Sequence, residues 1–250
     1  MVNLVNKGKG KILFIVEGEK TEVKLMKRLL DQYGIAEQYQ IFSYNTNIYA
    51  LYNAMFRDTD PAEWDIQAHL KSRENNPEKK VILDQRFSDI LLIFDFDPHD
   101  PDFSEDRIIK MAEYFVESTD MGKLYLNYPM VEAFCDMKSI PDDDYNSYTA
   151  SLKELKSKTY KERVYNKNPN CGQLKFEIDK LKMDIVIRQN LEKSWFILGT
   201  QEPPAQTKNF VPKLVDILYE QLRKLRAECC VAVLCTCVLY IVDYNPKLLD

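Results

Sequence analysis

Three carboxylates that follow two apolar segments are the residues best suited to chemistry. Glu17 follows the run KILFIV at residues 11–16, and Asp95 and Asp97 follow DILLIF at residues 89–94. Burying unpaired acids is costly, and close like charges repel unless a cation lies between them. Mg²⁺ prefers oxygen ligands, and Mn²⁺ suits the same donors. The pattern therefore favours a Mg²⁺ centre that polarises a phosphate and orients an attacking water.

A simpler interpretation is that these acids cap loops, with Asp97 starting a turn before Pro98. Asp95 and Asp97 flank one residue, so in an extended chain both side chains point the same way. Together with Glu17 at the end of a neighbouring strand, that arrangement favours the metal site over the loop caps.

The elements around these acids predict an α/β fold. Apolar periodicity predicts strands at residues 11–16, 40–44, 89–94 and 123–126 and helices at 21–34, 48–56, 107–117, 176–197 and 209–227. This order predicts a mainly parallel, Rossmann-like sheet flanked by helices. Ligands bind such sheets at the carboxyl ends of the strands, where both acid groups lie.

Charge and composition divide the chain into two parts. We expect a catalytic domain at residues 10–140, with an insert at about 46–80, and a lysine-rich, mostly helical extension at 141–250 that packs on it. The net charge of −5 argues against gripping nucleic acid by bulk charge. Residues 151–182, however, hold nine basic side chains and four acidic ones.

That basic segment is the predicted nucleic-acid surface, because Tyr160 and Tyr165 alternate with basic residues and could stack bases. A solvated helix face that balances the acidic half is the equal alternative. The basic residues proposed to contact nucleic acid are Lys20, Lys156, Lys158, Lys161 and Arg163.

Three segments together resemble the TOPRIM domain: ILFIVEGEKTE at 12–22, LLIFDFDP at 91–98 and NYPMVEAF at 127–134. The most similar group is the RloB-like and PARIS-type phage-defence nucleases. The resemblance implies that Glu17 is a metal ligand or general acid/base and that Asp95 and Asp97 hold Mg²⁺.

For the whole chain, the resemblance implies an endonuclease that hydrolyses phosphodiesters of DNA or RNA, tRNA included. It also implies a toxic effector of bacterial antiviral defence that a partner ATPase of the ABC or OLD type controls. The chain has no GxxxxGK[ST] phosphate loop of its own, which fits an ATPase supplied by a partner.

Neighbouring residues of the motifs have less specific roles. Glu22 and Glu132 are further candidate metal ligands, although Glu22 in a first helical turn stabilises a helix by itself. Glu19 is expected to be solvated. His99 is kept out of the catalytic set, because a histidine between Pro98 and Asp100 is as readily a bystander.

Two other functions use the same residues. A haloacid-dehalogenase-like phosphatase would use Asp95 as its nucleophile, but that family expects Thr or Val where this sequence has His99. A non-catalytic interaction module is the third alternative, and retention of all the expected acids argues against it.

The cysteines and the apolar run at residues 229–242 predict no special chemistry. Free thiols are expected, and the cluster from Cys229 to Cys237 lacks the spacing of a zinc site. The run is too short to span a bilayer and predicts a buried core element, with a homodimer interface as the alternative. Without a secretory signal pattern, we expect a cytoplasmic protein with no membrane partner.

Overall fold

The structure is a computed structural model that describes residues 10–35, 38–56, 64–168, 178–200 and 210–249. Its strands are β1 (Ile12–Val16), β2 (Tyr39–Ser43), β3 (Asp89–Asp95), β4 (Val116–Glu117), β5 (Gly122–Asn127), β6 (Thr149–Ser151) and β7 (Cys230–Ala232). Its α-helices are α1 (Thr21–Gln32), α2 (Ile48–Phe56), α3 (Ile66–Arg73), α4 (Pro77–Leu83), α5 (Glu105–Tyr114), α6 (Leu152–Lys156), α7 (Thr159–Lys167), α8 (Lys180–Ile197), α9 (Leu214–Glu228) and α10 (Tyr240–Tyr244).

A five-stranded sheet in the order β2-β1-β3-β5-β4 forms the centre of the fold. Its first four strands run parallel, and β4 pairs antiparallel with β5 at the edge. All five side chains of β1 are buried, as a strand covered by helices on both faces requires. The predicted α/β fold with a mainly parallel sheet is confirmed at this level of detail.

The helix predicted at 209–227 begins only at Leu214. Most other predicted element bounds agree with the structure to within a few residues, but the helix predicted at 107–117 is wrong at both ends. It begins at Glu105 and ends at Tyr114, and Val116 and Glu117 form the edge strand β4. Gly122, with a φ of 122°, opens the next strand in a conformation that side-chain-bearing residues avoid.

The insert predicted at 46–80 contributes α2, α3 and the start of α4, and its residues 57–63 lie outside the described residues. Part of the insert belongs to the core, because Ile66 and Leu70 of α3 are buried. The helix predicted from residue 176 begins at Lys180 in the structure, and residues 176 and 177 lie outside the described part.

The apolar run at 229–242 is a buried element, as predicted. It supplies β7, which pairs antiparallel with β6, then a 3-10 helix (Thr236–Leu239) and α10. Cys235 and Cys237 are fully buried free thiols, whereas Cys135 is disulfide-bonded, so the expectation of free thiols is wrong for Cys135. None of the described helices combines the length and apolarity that crossing a membrane requires.

Candidate metal centre

Neighbouring parallel strands bring Glu17 and Asp95 together. Val16 at the end of β1 is in register with Ile93 of β3, and the Glu17 N–H continues the ladder by donating to the Ile93 carbonyl at 3.0 Å. The Asp95 N–H in turn donates to Glu17 Oε2 at 3.0 Å. One carboxylate oxygen from each of Glu17, Asp95 and Asp97 lies within 4.8 Å of the others, a spacing that fits one shared metal ion.

Asp97 joins this cluster by a different route from the one that the sequence predicts. The strand ends at Asp95, and Asp97 has a φ of 39°, in the left-handed region that Asp tolerates better than most residues. Its N–H donates to the Pro129 carbonyl at 3.1 Å, which holds the bend. The two aspartates converge because the chain turns sharply between them, and the extended geometry expected for the pair is wrong.

Burial and mutual repulsion dominate the electrostatics of the three acids. Burial, followed by the charges of Asp97 and Glu22, raises the pKa of Glu17 to about 8, although the hydrogen bond from Asp95 N–H opposes the shift. Burial also raises the pKa of Asp97 to about 7, with Lys161 opposing the shift. The pKa of Asp95 is raised by burial and by Glu17. Without a cation, the cluster therefore retains protons near neutral pH.

Glu22 and Glu132 extend the acidic region toward α7. Glu22 is buried in the first turn of α1, and burial followed by the charge of Glu132 raises its pKa. Glu132 is 5% exposed, and its Oε1 lies 2.9 Å from Lys161 Nζ and accepts a hydrogen bond from the Tyr165 hydroxyl at 3.4 Å. Glu132, which the sequence predicts as a further metal ligand, therefore already has Lys161 as an ion-pair partner.

A cavity of about 460 Å³ opens onto these acids, and both acidic and basic side chains line it. Its acidic wall is formed by Glu17, Asp95 and Asp97, and Lys158 and Lys161 line the same space. Burial alone would lower the pKa of Lys161, but the adjacent Glu132 raises it, so this lysine stays protonated. An anion entering the cavity would meet Lys158 and Lys161, of which Lys161 is already ion-paired with Glu132.

The other basic residues predicted to contact nucleic acid do not line this cavity. Lys20 lines a second, open cavity beside Glu17, and Lys156 is exposed at the end of α6. Arg163 is held by ion pairs to Asp136 and Glu154 at 3.3 and 2.9 Å. Tyr160 is 1% exposed, so the prediction that it stacks on bases is wrong.

Two residues matter more in the structure than the sequence indicated. Asn127 is fully buried, donates to Asp95 Oδ1 at 3.4 Å and accepts a hydrogen bond from the Cys237 N–H at 3.3 Å. The motif resemblance included Asn127, but no role in the site followed from it. His99, treated as a bystander, lines the cavity with Nδ1 3.8 Å from Asp97 Oδ1.

The donor set fits a hard divalent cation. All three converging groups are carboxylates, and the buried Oδ1 of Asp97 has no hydrogen-bond partner among the described residues. Comparison of the chain with family models, with curated proteins and with solved structures found no match.

Proposed function

We propose that this chain is a Mg²⁺- or Mn²⁺-dependent endonuclease that hydrolyses phosphodiesters of nucleic acid. The observation that carries the proposal is the convergence of Glu17, Asp95 and Asp97 on one point, beside a cavity that two lysines line. The acids suit a metal ion, and the lysines suit the phosphate that such an ion activates. The TOPRIM resemblance of the three motifs supports the same reaction.

In this proposal the acids and the lysines of the site have different roles. Asp95 and Asp97 hold the cation, and Glu17 either holds the cation as well or takes a proton from the attacking water. When bound, the cation supplies Lewis acidity that polarises a phosphate oxygen and offsets its developing charge. Lys161 and Lys158 neutralise the remaining charge of the phosphate.

The motif resemblance extends the proposal to a biological role. In this role the chain is a toxic effector of antiviral defence whose cleavage a partner ATPase releases. Support for the role comes only from residues 12–22, 91–98 and 127–134, on which the resemblance depends.

The direct test is incubation of the purified chain with Mg²⁺ or Mn²⁺ and single- and double-stranded DNA, total RNA and tRNA. We expect cleavage of at least one substrate by the wild type, and loss of cleavage in Glu17→Gln. Glu19→Gln is the matched control, because Glu19 is exposed and its carboxylate accepts a hydrogen bond from Asn45 instead of facing Asp95. Equal cleavage by Glu17→Gln and wild type would contradict the assignment.

A phosphatase that uses Asp95 would give a different result in the same samples. It would release inorganic phosphate from monoesters and leave internal phosphodiesters intact. A non-catalytic module would bind nucleic acid or a partner and cleave nothing in any metal. Product sizes on a denaturing gel therefore identify the endonuclease, and release of inorganic phosphate from monoesters separates the phosphatase from the non-catalytic module.

A further inference from the structure

A third cavity, of about 420 Å³, lies between α5, the β4–β5 edge of the sheet and the first turn of α9. It shares no lining residue with the cavity at the acidic cluster. Its volume falls within the range of about 300–1,000 Å³ that is typical of small-molecule sites. The proposed nuclease reaction makes no use of it.

The interior of this cavity is apolar. Phe115 of the α5–β4 connection and Leu124 and Leu126 of β5 are each at most 4% exposed, and all three line the space. Ala112 of α5 adds a small side chain to the same wall. These apolar surfaces favour an aromatic or acyl group, because removing the apolar surface of such a group from water lowers its free energy.

One hydroxyl in the wall has no hydrogen-bond partner among the described residues. Tyr128 lines the cavity and is 1% exposed, yet none of the described residues hydrogen-bonds its hydroxyl. Burial is also the single cause that raises its pKa. By contrast, the hydroxyl of Thr236, on the same wall, donates to the Leu126 carbonyl at 2.7 Å. A phenol hydroxyl in the wall that no described residue bonds favours a ligand that carries a hydrogen-bonding group.

The mouth of the cavity is cationic on the side of α9. Lys213 immediately precedes this 15-residue helix, its side chain makes no cap hydrogen bond, and it has no ion-pair partner in the part of the chain that the structure describes. Leu214 and Val215, in the first turn, also line the cavity. The first N–H groups of a helix lack intrahelical acceptors and attract anions.

Two other charged residues, Lys123 and Glu117, line the cavity. Lys123 is paired with Asp243 at 2.6 Å, so it is already neutralised. Glu117, on the exposed edge strand β4, also lines the cavity and carries a negative charge. Asp216 belongs to the first turn of α9 but is exposed and does not line the cavity.

We propose that this cavity binds a small amphipathic anion. The apolar body of the ligand lies against Phe115, Leu124 and Leu126, and its carboxylate, sulfonate or phosphate contacts Lys213 and the start of α9. Such a ligand is distinct from the nucleic acid of the proposed reaction, and the two proposals stand independently.

The test compares two fluorescent probes that differ mainly in charge. The anionic probe is 8-anilinonaphthalene-1-sulfonate, and the neutral one is N-phenyl-1-naphthylamine. We expect the folded protein to bind the anionic probe at one saturable site, more tightly than the neutral one. Val215→Trp, which places an indole at the mouth, should weaken both probes at least about tenfold. Lys213→Glu should weaken only the anionic probe, by about threefold or more.

Two controls keep the result interpretable. Lys110→Glu makes the same charge change on the exposed face of α5, outside the cavity, and should leave both affinities unchanged. If Val215→Trp lowers the thermal midpoint, Ala112→Leu fills the cavity from the opposite wall instead. Unchanged binding of both probes in the filled variants would overturn the site. Equal affinity for both probes, insensitive to Lys213→Glu, would overturn its preference for anions.

Discussion

The Asp95 N–H donates a hydrogen bond of 3.0 Å to Glu17 Oε2 across 78 residues of sequence. This bond links the ends of two adjacent parallel strands and fixes the Glu17 carboxylate before any cation arrives. It also places Glu17 against a second acid, so repulsion adds to the cost of burial. A cation that removes this repulsion should therefore bind tightly and stabilise the fold.

Asp97→Asn should weaken Mn²⁺ binding by at least about tenfold, because it removes a charged ligand while preserving shape. Isothermal titration of Mn²⁺ into the purified protein measures the change. The matched control is Asp102→Asn, which makes the same substitution at an exposed position outside the cavity. Equal affinities in the two variants would remove Asp97 from the metal centre.

The metal-free protein should lose stability as the pH rises from about 5 to 8. In this window the folded protein keeps protons that the unfolded chain releases, since the pKa of Glu17 is raised from 4.5 to about 8 and that of Asp97 from 3.8 to about 7. The unfolded state binds fewer protons there, so the free energy of unfolding decreases with pH.

Thermal midpoints in EDTA at several pH values measure this trend. Glu17→Gln should flatten the decrease, Glu19→Gln should not, and saturating Mn²⁺ should raise the wild-type midpoint most at pH 8. A midpoint that rises steadily with pH in wild type and falls only in Glu17→Gln would contradict the raised pKa values.

Asn127→Ala should weaken Mn²⁺ binding by about 10- to 100-fold, because Asn127 orients Asp95 without being a ligand itself. It should also cost about 1–3 kcal/mol of stability, since the buried N–H of Cys237 loses its acceptor. Chemical denaturation and metal titration measure the two effects separately. Asn146→Ala, at an exposed position, controls for the substitution itself.

Lys161→Gln should lower kcat/KM by about 100-fold, because it removes a cation from the phosphate side of the cavity. The same change should leave Mn²⁺ binding as tight or tighter, since a positive charge beside the acids is gone. Lys161→Arg should restore most of the rate, and Lys110→Gln, at an exposed position of α5 outside the cavity, should change neither quantity. Parallel losses of metal binding and rate in Lys161→Gln would assign Lys161 a structural role.

The parallel strands were predictable from sequence because a strand buried on both faces leaves a continuous apolar run, as at β1 and β3. Edge pairing was not predictable in the same way. β4 has only two residues, both exposed, so its sequence resembles the end of the preceding helix. The pairing of β6 with β7 joins segments about 80 residues apart, and no local pattern encodes it.

The acids of the site were found from sequence because each follows an apolar run, whereas the roles of the basic residues depend on helix orientation. Tyr160 and Lys161 are neighbours on α7, but successive helical residues point about 100° apart. Lys161 therefore reaches Glu132 while Tyr160 enters the core. The composition of this segment alone could not show which of these two side chains faces the site.

The most direct test of the metal-dependent nuclease is to follow phosphodiester cleavage and Mn²⁺ binding in the same preparation. We predict that cleavage appears with the same Mn²⁺ dependence as binding, that EDTA abolishes it and that Asp95→Asn loses both. Cleavage that persists in EDTA, or at the wild-type rate in Asp95→Asn, would contradict the account.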